Sequence, residues 1–194
     1  YKENFSPQYA GAVSLDVKDT SLKSKYRDDI TVYGHTDLKK FTNLKYVNIS
    51  LKKSILSSVS KYYVNSFIEH ELKNPSKIIE IHNRPIYLNF IFNKNIAAKL
   101  VLYFHNDPLT MNGSKSLEDR QFLLKRSSKI IFNSEWSKKR FLNNMDSSVV
   151  NSEKLTVIYQ SSDKKKINFS KKRKWITFVG KLNTAKGYDL FGKA

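Results

Sequence analysis

The chain has 194 residues, 40% of them hydrophobic and 13% aromatic, a composition typical of a folded domain and unlike that of a disordered segment. No apolar run approaches the roughly 20 residues that a membrane-spanning helix needs, and no secretory signal is recognisable. The lack of cysteine excludes disulfides and thiolate metal sites and fits a reducing compartment, so we expect a cytoplasmic protein.

The formal net charge of +18 is of a size that usually indicates a nucleic-acid or anionic-membrane partner. Lysine outnumbers arginine, and Asn, Ile, Ser and Tyr are also abundant, as in a proteome with biased base composition. Because bidentate arginine contacts dominate base readout, we expect no nucleic-acid partner. Peripheral contact with acidic lipids on the inner face of the cytoplasmic membrane stays open.

Helical patterns and short apolar runs alternate along the chain. Residues 1–11 are typical of a loop, with turn residues Pro7 and Gly11, so we expect the first strand of the sheet to precede Tyr1. Hydrophobic periodicity then predicts helices at 14–26, 54–72, 85–93, 117–126 and 135–144, the last capped by Ser134, and strands at 30–33, 45–49, 78–81, 100–104, 129–132 and 155–159.

Short apolar strands separated by helices predict an α/β fold, a doubly wound, Rossmann-like parallel sheet. The charged, aperiodic segment 163–174 is typical of a linker, which divides the chain into a first domain at 1–162 and the start of a second at 175–194, opening with a strand at 175–179. No G-x-G-x-x-G and no G-x-x-x-x-G-K-[ST] occurs, which disfavours ordinary dinucleotide enzymes and P-loop NTPases.

The chemistry-bearing residues of the first domain concentrate at two strand ends. The predicted strands at 78–81 and 100–104 are each followed by His-Asn-x-Pro, beginning at His82 and His105. Ligands of such sheets bind outside the carboxyl ends of the strands, so both histidines should face one crevice. Imidazole can act there as a general base or a hydrogen-bond donor. The alternative is that both are packing residues at ordinary turns.

Two pairs of residues near the end of the chain suit an anion. The apolar run at 175–179 leads into Gly180-Lys181, and Lys186-Gly187 then precedes a helical pattern. Backbone N–H groups at a helix start, flanked by two ammonium groups, can hold a diphosphate. A solvated basic turn is the alternative interpretation.

In this order the motifs resemble those of group-1, retaining glycosyltransferases of the GT-B fold. The matching features are the loop bearing Gly11, the two strands that end in histidine, the strand that closes on Ser134-Glu135 and the Gly-Lys and Lys-Gly pairs. Lys181 stands where the family usually has arginine, and the strand before the linker lacks the family's glycine.

The resemblance implies transfer of a sugar, with retention of configuration, from a nucleotide-diphosphate sugar to a glycan or glycolipid acceptor, as in envelope polysaccharide synthesis. It implies neither a cofactor nor a metal. It assigns His105 as the catalytic residue, Gly11, Asn83, Arg84, Asn106 and Asp107 to the sugar or acceptor, and Gly180, Lys181, Lys186 and Gly187 to the donor diphosphate.

Residues 175–194 would begin the donor domain, so we expect little transfer activity from these 194 residues alone. The alternative function is a noncatalytic basic α/β module that binds acidic polymers or a membrane surface. Binding of that kind should weaken steeply as salt rises.

Overall fold

The computed structural model describes residues 4–51, 58–162, 166, 175–180, 182 and 184–193. The chain divides into two compact units, Tyr1–Gln160 and Ser161–Ala194. Among the described residues, no helix is both long enough and apolar enough to cross a membrane.

The first unit alternates helices with strands, as the sequence predicts. Its helices are α1 (Ala12–Lys23), α2 (Val59–Lys73), α3 (Ile86–Phe92), α4 (Leu117–Arg126) and α5 (Glu135–Phe141). Its strands are β1 (Thr31–Gly34), β2 (Lys45–Asn48), β3 (Ile78–His82), β4 (Lys99–Phe104), β5 (Lys129–Phe132) and β6 (Leu155–Val157), with 3-10 turns at Arg27–Asp29, Pro108–Thr110 and Ser147–Val149.

Every strand pairing in the described chain is parallel, so the predicted α/β class with parallel strands is confirmed. Strands β1 and β2 pair with each other, and a second sheet has the order β3-β4-β5-β6. A doubly wound sheet reverses its strand order at one point. The described strands show no such reversal, because β1 and β2 do not pair with β3.

The four-stranded sheet has one apolar face and one mixed face. Side chains alternate along β3, where Ile79 and Ile81 are buried whereas Ile78 is 59% exposed. The apolar face is the main core, and burial of each such side chain stabilises the fold by about 1.5–3 kcal/mol. Its fully or nearly buried members are Ile79, Ile81, Leu100, Leu102, Phe104, Ile130, Phe132 and Leu155. The mixed face carries Glu80, His82 and Tyr103.

The two-stranded sheet packs on both of its faces. On one side Val32 of β1 joins Phe5 and Phe41, whose rings meet edge to face at 4.9 Å between centroids. On the other side Tyr33 contacts Phe67 of α2, and the Tyr63 hydroxyl donates to the Tyr33 carbonyl at 3.1 Å. Helix α2 thereby joins this sheet to the main core.

Several helix ends differ from the predicted bounds, each for a local reason. Helix α1 stops at Lys23 because Ser24 is extended. Helix α2 begins at Val59, after Ser58, whose hydroxyl accepts from the Lys61 N–H at 3.3 Å, and the predicted residues 54–57 lie outside the described residues. Helix α5 ends at Phe141, the Leu142 N–H donates to the Lys138 and Arg140 carbonyls, and Asn144 then takes a left-handed backbone with φ 61°.

The second unit contains a 3-10 turn, Thr184–Lys186, and a short helix, α6 (Tyr188–Phe191). Residues 175–179, predicted as a strand, form no ladder with any described residue. Phe178 packs on Tyr188 and Phe191, with ring centroids at 5.7 and 5.5 Å, while Ile176 is 91% exposed. Of the predicted linker at 163–174, only Lys166 is described.

The loop between β4 and α4 is held tightly against the rest of the first unit. The buried Arg120 guanidinium donates to four backbone carbonyls, those of Ser114, Lys115, Ser116 and Asn143, at 3.3, 2.7, 3.0 and 2.7 Å. The loop therefore has a fixed position beside the residues that follow β4.

Gly113 in this loop should tolerate no side chain. Its φ is 88°, and an added Cβ would lie 2.7 Å from the backbone N and Cα of Ile86. We expect Gly113→Ala to lower the free energy of unfolding by about 2–3 kcal/mol, measured by urea denaturation. Gly192→Ala is the matched control, because an added Cβ there would lie 3.7 Å from the Tyr188 carbonyl oxygen and its φ is −73°. Equal stability of the two variants would contradict the expectation.

Candidate functional site at the carboxyl end of the parallel sheet

The two histidines meet at the carboxyl ends of β3 and β4. His82 Nδ1 lies 2.9 Å from His105 Nε2, and the ring centroids are 5.2 Å apart. Tyr103 stacks on His105 with centroids at 4.3 Å and an interplanar angle of 9°. The His105 side chain is 2% exposed and that of His82 is 19% exposed.

The backbone of His105 is fixed from both sides by asparagine side chains. The His105 N–H donates to Asn83 Oδ1 at 3.0 Å, and Asn133 Nδ2 donates to the His105 carbonyl at 2.8 Å. Asn83 is buried and has φ 55°, a conformation that asparagine tolerates better than most residues. Its own N–H donates to the Tyr103 carbonyl at 2.8 Å. Asn83 therefore joins the ends of β3 and β4.

A carboxylate lies behind the histidine pair. Glu80, two residues before His82 on the same strand face, has Oε1 2.8 Å from His82 Nε2. The hydrogen bond from His82 lowers the pKa of Glu80, although partial burial opposes the shift. Glu80 is therefore held as a carboxylate beside His82.

The other ring nitrogen of His105 faces two polar side chains from distant parts of the chain. Gln160 Nε2 lies 3.3 Å from His105 Nδ1, and Asp16 Oδ2 of α1 lies 3.9 Å from it. Burial, with a smaller contribution from His82, lowers the pKa of His105 to about 4. Burial also raises the pKa of Asp16. His105 is thus a neutral imidazole at neutral pH.

The remaining residues predicted for the sugar or acceptor are placed differently. Asp107 accepts from Arg140 Nε at 3.2 Å and from Nη2 at 2.9 Å, which lowers its pKa, and it caps the turn that follows. Arg84 Nη1 donates to the Asn83 carbonyl at 2.8 Å, and Asn106 is exposed. Gly11 precedes α1 with φ −76°, a conformation that any residue adopts.

The residues predicted for the diphosphate belong to the second unit. Gly187 has φ 72° and directly precedes α6, Lys186 is exposed, and a Cβ at Gly180 would lie 3.2 Å from the Phe178 ring. Lys181 lies outside the described residues. Their role in holding a diphosphate stays a prediction.

Sequence reasoning missed Asp16, Glu80 and Gln160. A signal for Glu80 was present, because an acid two positions before a histidine on a strand shares its face. The sequence contains no signal for Asp16 or Gln160. Asp16 lies 89 residues before His105 and Gln160 lies 55 residues after it, and only the folded chain brings them to the ring.

Comparison with known proteins does not place the chain in a family. No protein-family model matches the chain, and no curated protein matches it in sequence. Among the described residues, no group of three or more histidine, aspartate or glutamate side chains is placed to hold a metal ion.

Asn83 makes two separable contributions, which substitutions can distinguish. Asn83→Gly keeps access to the left-handed backbone but leaves the His105 N–H without its acceptor, which should cost about 1–3 kcal/mol. Asn83→Ala should cost about 1 kcal/mol more because of the backbone strain. Urea denaturation measures both values. An Asn83→Ala variant that is more stable than Asn83→Gly would contradict this account.

The low pKa of His105 should make stability depend on pH. The unfolded chain takes up a proton near pH 6.5, whereas the folded chain does so only near 4, so the free energy of unfolding should fall as pH is lowered through that interval. The loss is on the order of 3 kcal/mol. Urea denaturation of His105→Phe, which keeps an aromatic ring beside Tyr103, should show a flatter pH profile. Parallel profiles would rule out His105 as the source.

Proposed function

We propose that the first unit is the acceptor-side, Rossmann-like half of a retaining sugar transferase of the GT-B type, which uses a nucleotide-diphosphate sugar. The observation that carries the proposal is His105, a neutral, immobilised imidazole at the carboxyl end of a parallel sheet, at the position that the sequence resemblance assigns to catalysis. Ligands of parallel α/β sheets bind at this edge.

The charge state of His105 favours a hydroxyl as its ligand. A neutral imidazole can accept a hydrogen bond from a sugar hydroxyl, and its low pKa keeps it from becoming a cation that would pair with phosphate. The nearby Asp16 and Glu80 also repel anions. The ligand groups assigned to His105 are therefore sugar hydroxyls. The assignment of a diphosphate to Gly180, Lys181, Lys186 and Gly187 rests on the sequence motif alone.

An exposed aromatic residue offers a second contact for a sugar. Trp136, at the start of α5, is 58% exposed, and the Arg140 guanidinium lies 5.6 Å from its ring centroid. Arg140 is itself held by the Asp107 carboxylate. Aromatic faces supply large, rigid, apolar contact area, which suits the apolar face of a pyranose ring. In this proposal Asp107 acts on the glycan or glycolipid acceptor through Arg140 and Trp136.

The net charge of +18 supports a peripheral position on the inner face of the cytoplasmic membrane, where a glycolipid acceptor would be found. Lysine side chains near an anionic surface contribute about 1 kcal/mol each to such attraction. The proposed membrane position determines where the protein would bind its acceptor, and the role of His105 does not depend on it.

The test is turnover by the natural gene product that contains these residues, assayed with a panel of nucleotide-diphosphate sugars. We expect release of the nucleoside diphosphate and, by NMR of the product, retention of the anomeric configuration. His105→Ala should lower kcat by about 100-fold or more. Lys61→Ala, an exposed position on α2, is the control and should leave kcat unchanged.

Two results would overturn the proposal. One is the absence of turnover with every nucleotide-diphosphate sugar in the panel. The other is a His105→Ala variant that is fully active, since a residue that contacts the reacting sugar cannot be dispensable. Binding to anionic vesicles or polyanions without turnover would favour the noncatalytic basic module instead.

A further inference from the structure

When both imidazoles are neutral, the hydrogen bonds that connect Glu80, His82 and His105 allow only one arrangement of their protons. A carboxylate only accepts, so His82 Nε2, 2.8 Å from Glu80, carries the proton. His82 Nδ1 then accepts, and the atom that donates to it at 2.9 Å is His105 Nε2. The tautomer of His105 is thereby set with its proton on Nε2.

The contact on the opposite side of His105 is consistent with this assignment. His105 Nδ1 is left with a lone pair, and the atom facing it at 3.3 Å is Nε2 of Gln160, an amide nitrogen that can only donate. Of the other groups around the ring, Tyr103 stacks on its face and its hydroxyl donates to the Ile158 carbonyl at 3.0 Å. Asp16 is the remaining one, at 3.9 Å from Nδ1.

We propose that Glu80 and His82 are positioning residues that hold His105 in the Nε2-protonated tautomer, so that its Nδ1 accepts a hydrogen bond from a ligand. Neither residue needs to touch the ligand itself. Glu80 acts through His82, and His82 acts through the hydrogen bond at 2.9 Å.

The acceptors that face the ligand select its chemistry. His105 Nδ1 and Asp16 Oδ2 lie 3.9 Å apart, which is too far for a hydrogen bond between them. Each is a hydrogen-bond acceptor, the first through the lone pair of the ring nitrogen and the second as a carboxylate oxygen. A group that takes the place of the Gln160 amide must therefore bring two donors. Two hydroxyls on adjacent carbons of a sugar ring do so, whereas an ionised carboxylate brings only acceptors, and phosphate is an anion that the Asp16 carboxylate repels. This step, unlike the tautomer, rests on the proposed function.

Histidine-selective two-bond ¹H–¹⁵N NMR spectra of the ¹⁵N-labelled chain test the proposal directly, because they distinguish a protonated ring nitrogen from a bare one. At neutral pH we expect the Nε2-protonated form of His105 to exceed the Nδ1-protonated form by more than about tenfold. Glu80→Gln should reduce that ratio by about an order of magnitude, and so should His82→Phe, which keeps a ring against Tyr103. Glu69→Gln, an exposed acid on α2, is the matched control and should leave it unchanged.

A proton on His105 Nδ1 in the unmodified chain would overturn the proposal, as would an unchanged tautomer ratio in both Glu80→Gln and His82→Phe. Titration with methyl glycosides should shift the signals of His105 Nδ1 and of the Gln160 side-chain amide, and inorganic phosphate should not. A shift with phosphate alone would overturn the inferred ligand class. The expected tautomer together with no sugar turnover by the gene product would remove the proposed function and leave the positioning role standing.

Discussion

The parallel pairing of β3 with β4 is the constraint on which the candidate site depends. In the observed register His82 lies opposite Tyr103, and the Asn83 N–H extends the ladder by donating to the Tyr103 carbonyl. A slip of one residue would move each side chain of β3 to the other face, which would direct His82 into the core instead of toward His105. The Asn83 side chain then binds the His105 N–H. The β3–β4 register, the turn at Asn83 and the contact between the two histidines therefore cannot change independently.

The loop after β4 adds a second constraint through two arginines that act in different ways. Arg120 is buried and binds carbonyls of this loop and the Asn143 carbonyl after α5, so its charge is spread over backbone dipoles. Arg140, on α5, is half exposed and forms a two-pronged pair with Asp107. Both tie the loop to α5. A histidine whose following loop could move would lose its fixed geometry.

The sequence predicts the alternating strands and helices of the first unit because periodicity and caps are local properties, and it predicts that His82 and His105 meet because parallel strands end at one edge. It fails where the outcome depends on a distant partner. The run at 175–179 is apolar enough for a strand, yet strand formation requires another backbone to pair with. Asp16 and Gln160 are likewise ordinary polar residues in the sequence, and only packing brings them to His105.

The contacts of His105 differ in strength on its two sides, and this difference suits a binding group. On the inner side, the chain through His82 ends at a carboxylate, and hydrogen bonds to ionised groups are about twice as strong as neutral ones. On the outer side the amide of the exposed Gln160 makes one neutral contact at 3.3 Å, worth about 1 kcal/mol at most. In the proposed binding mode, a ligand would therefore displace Gln160 at small cost while the ring stays fixed.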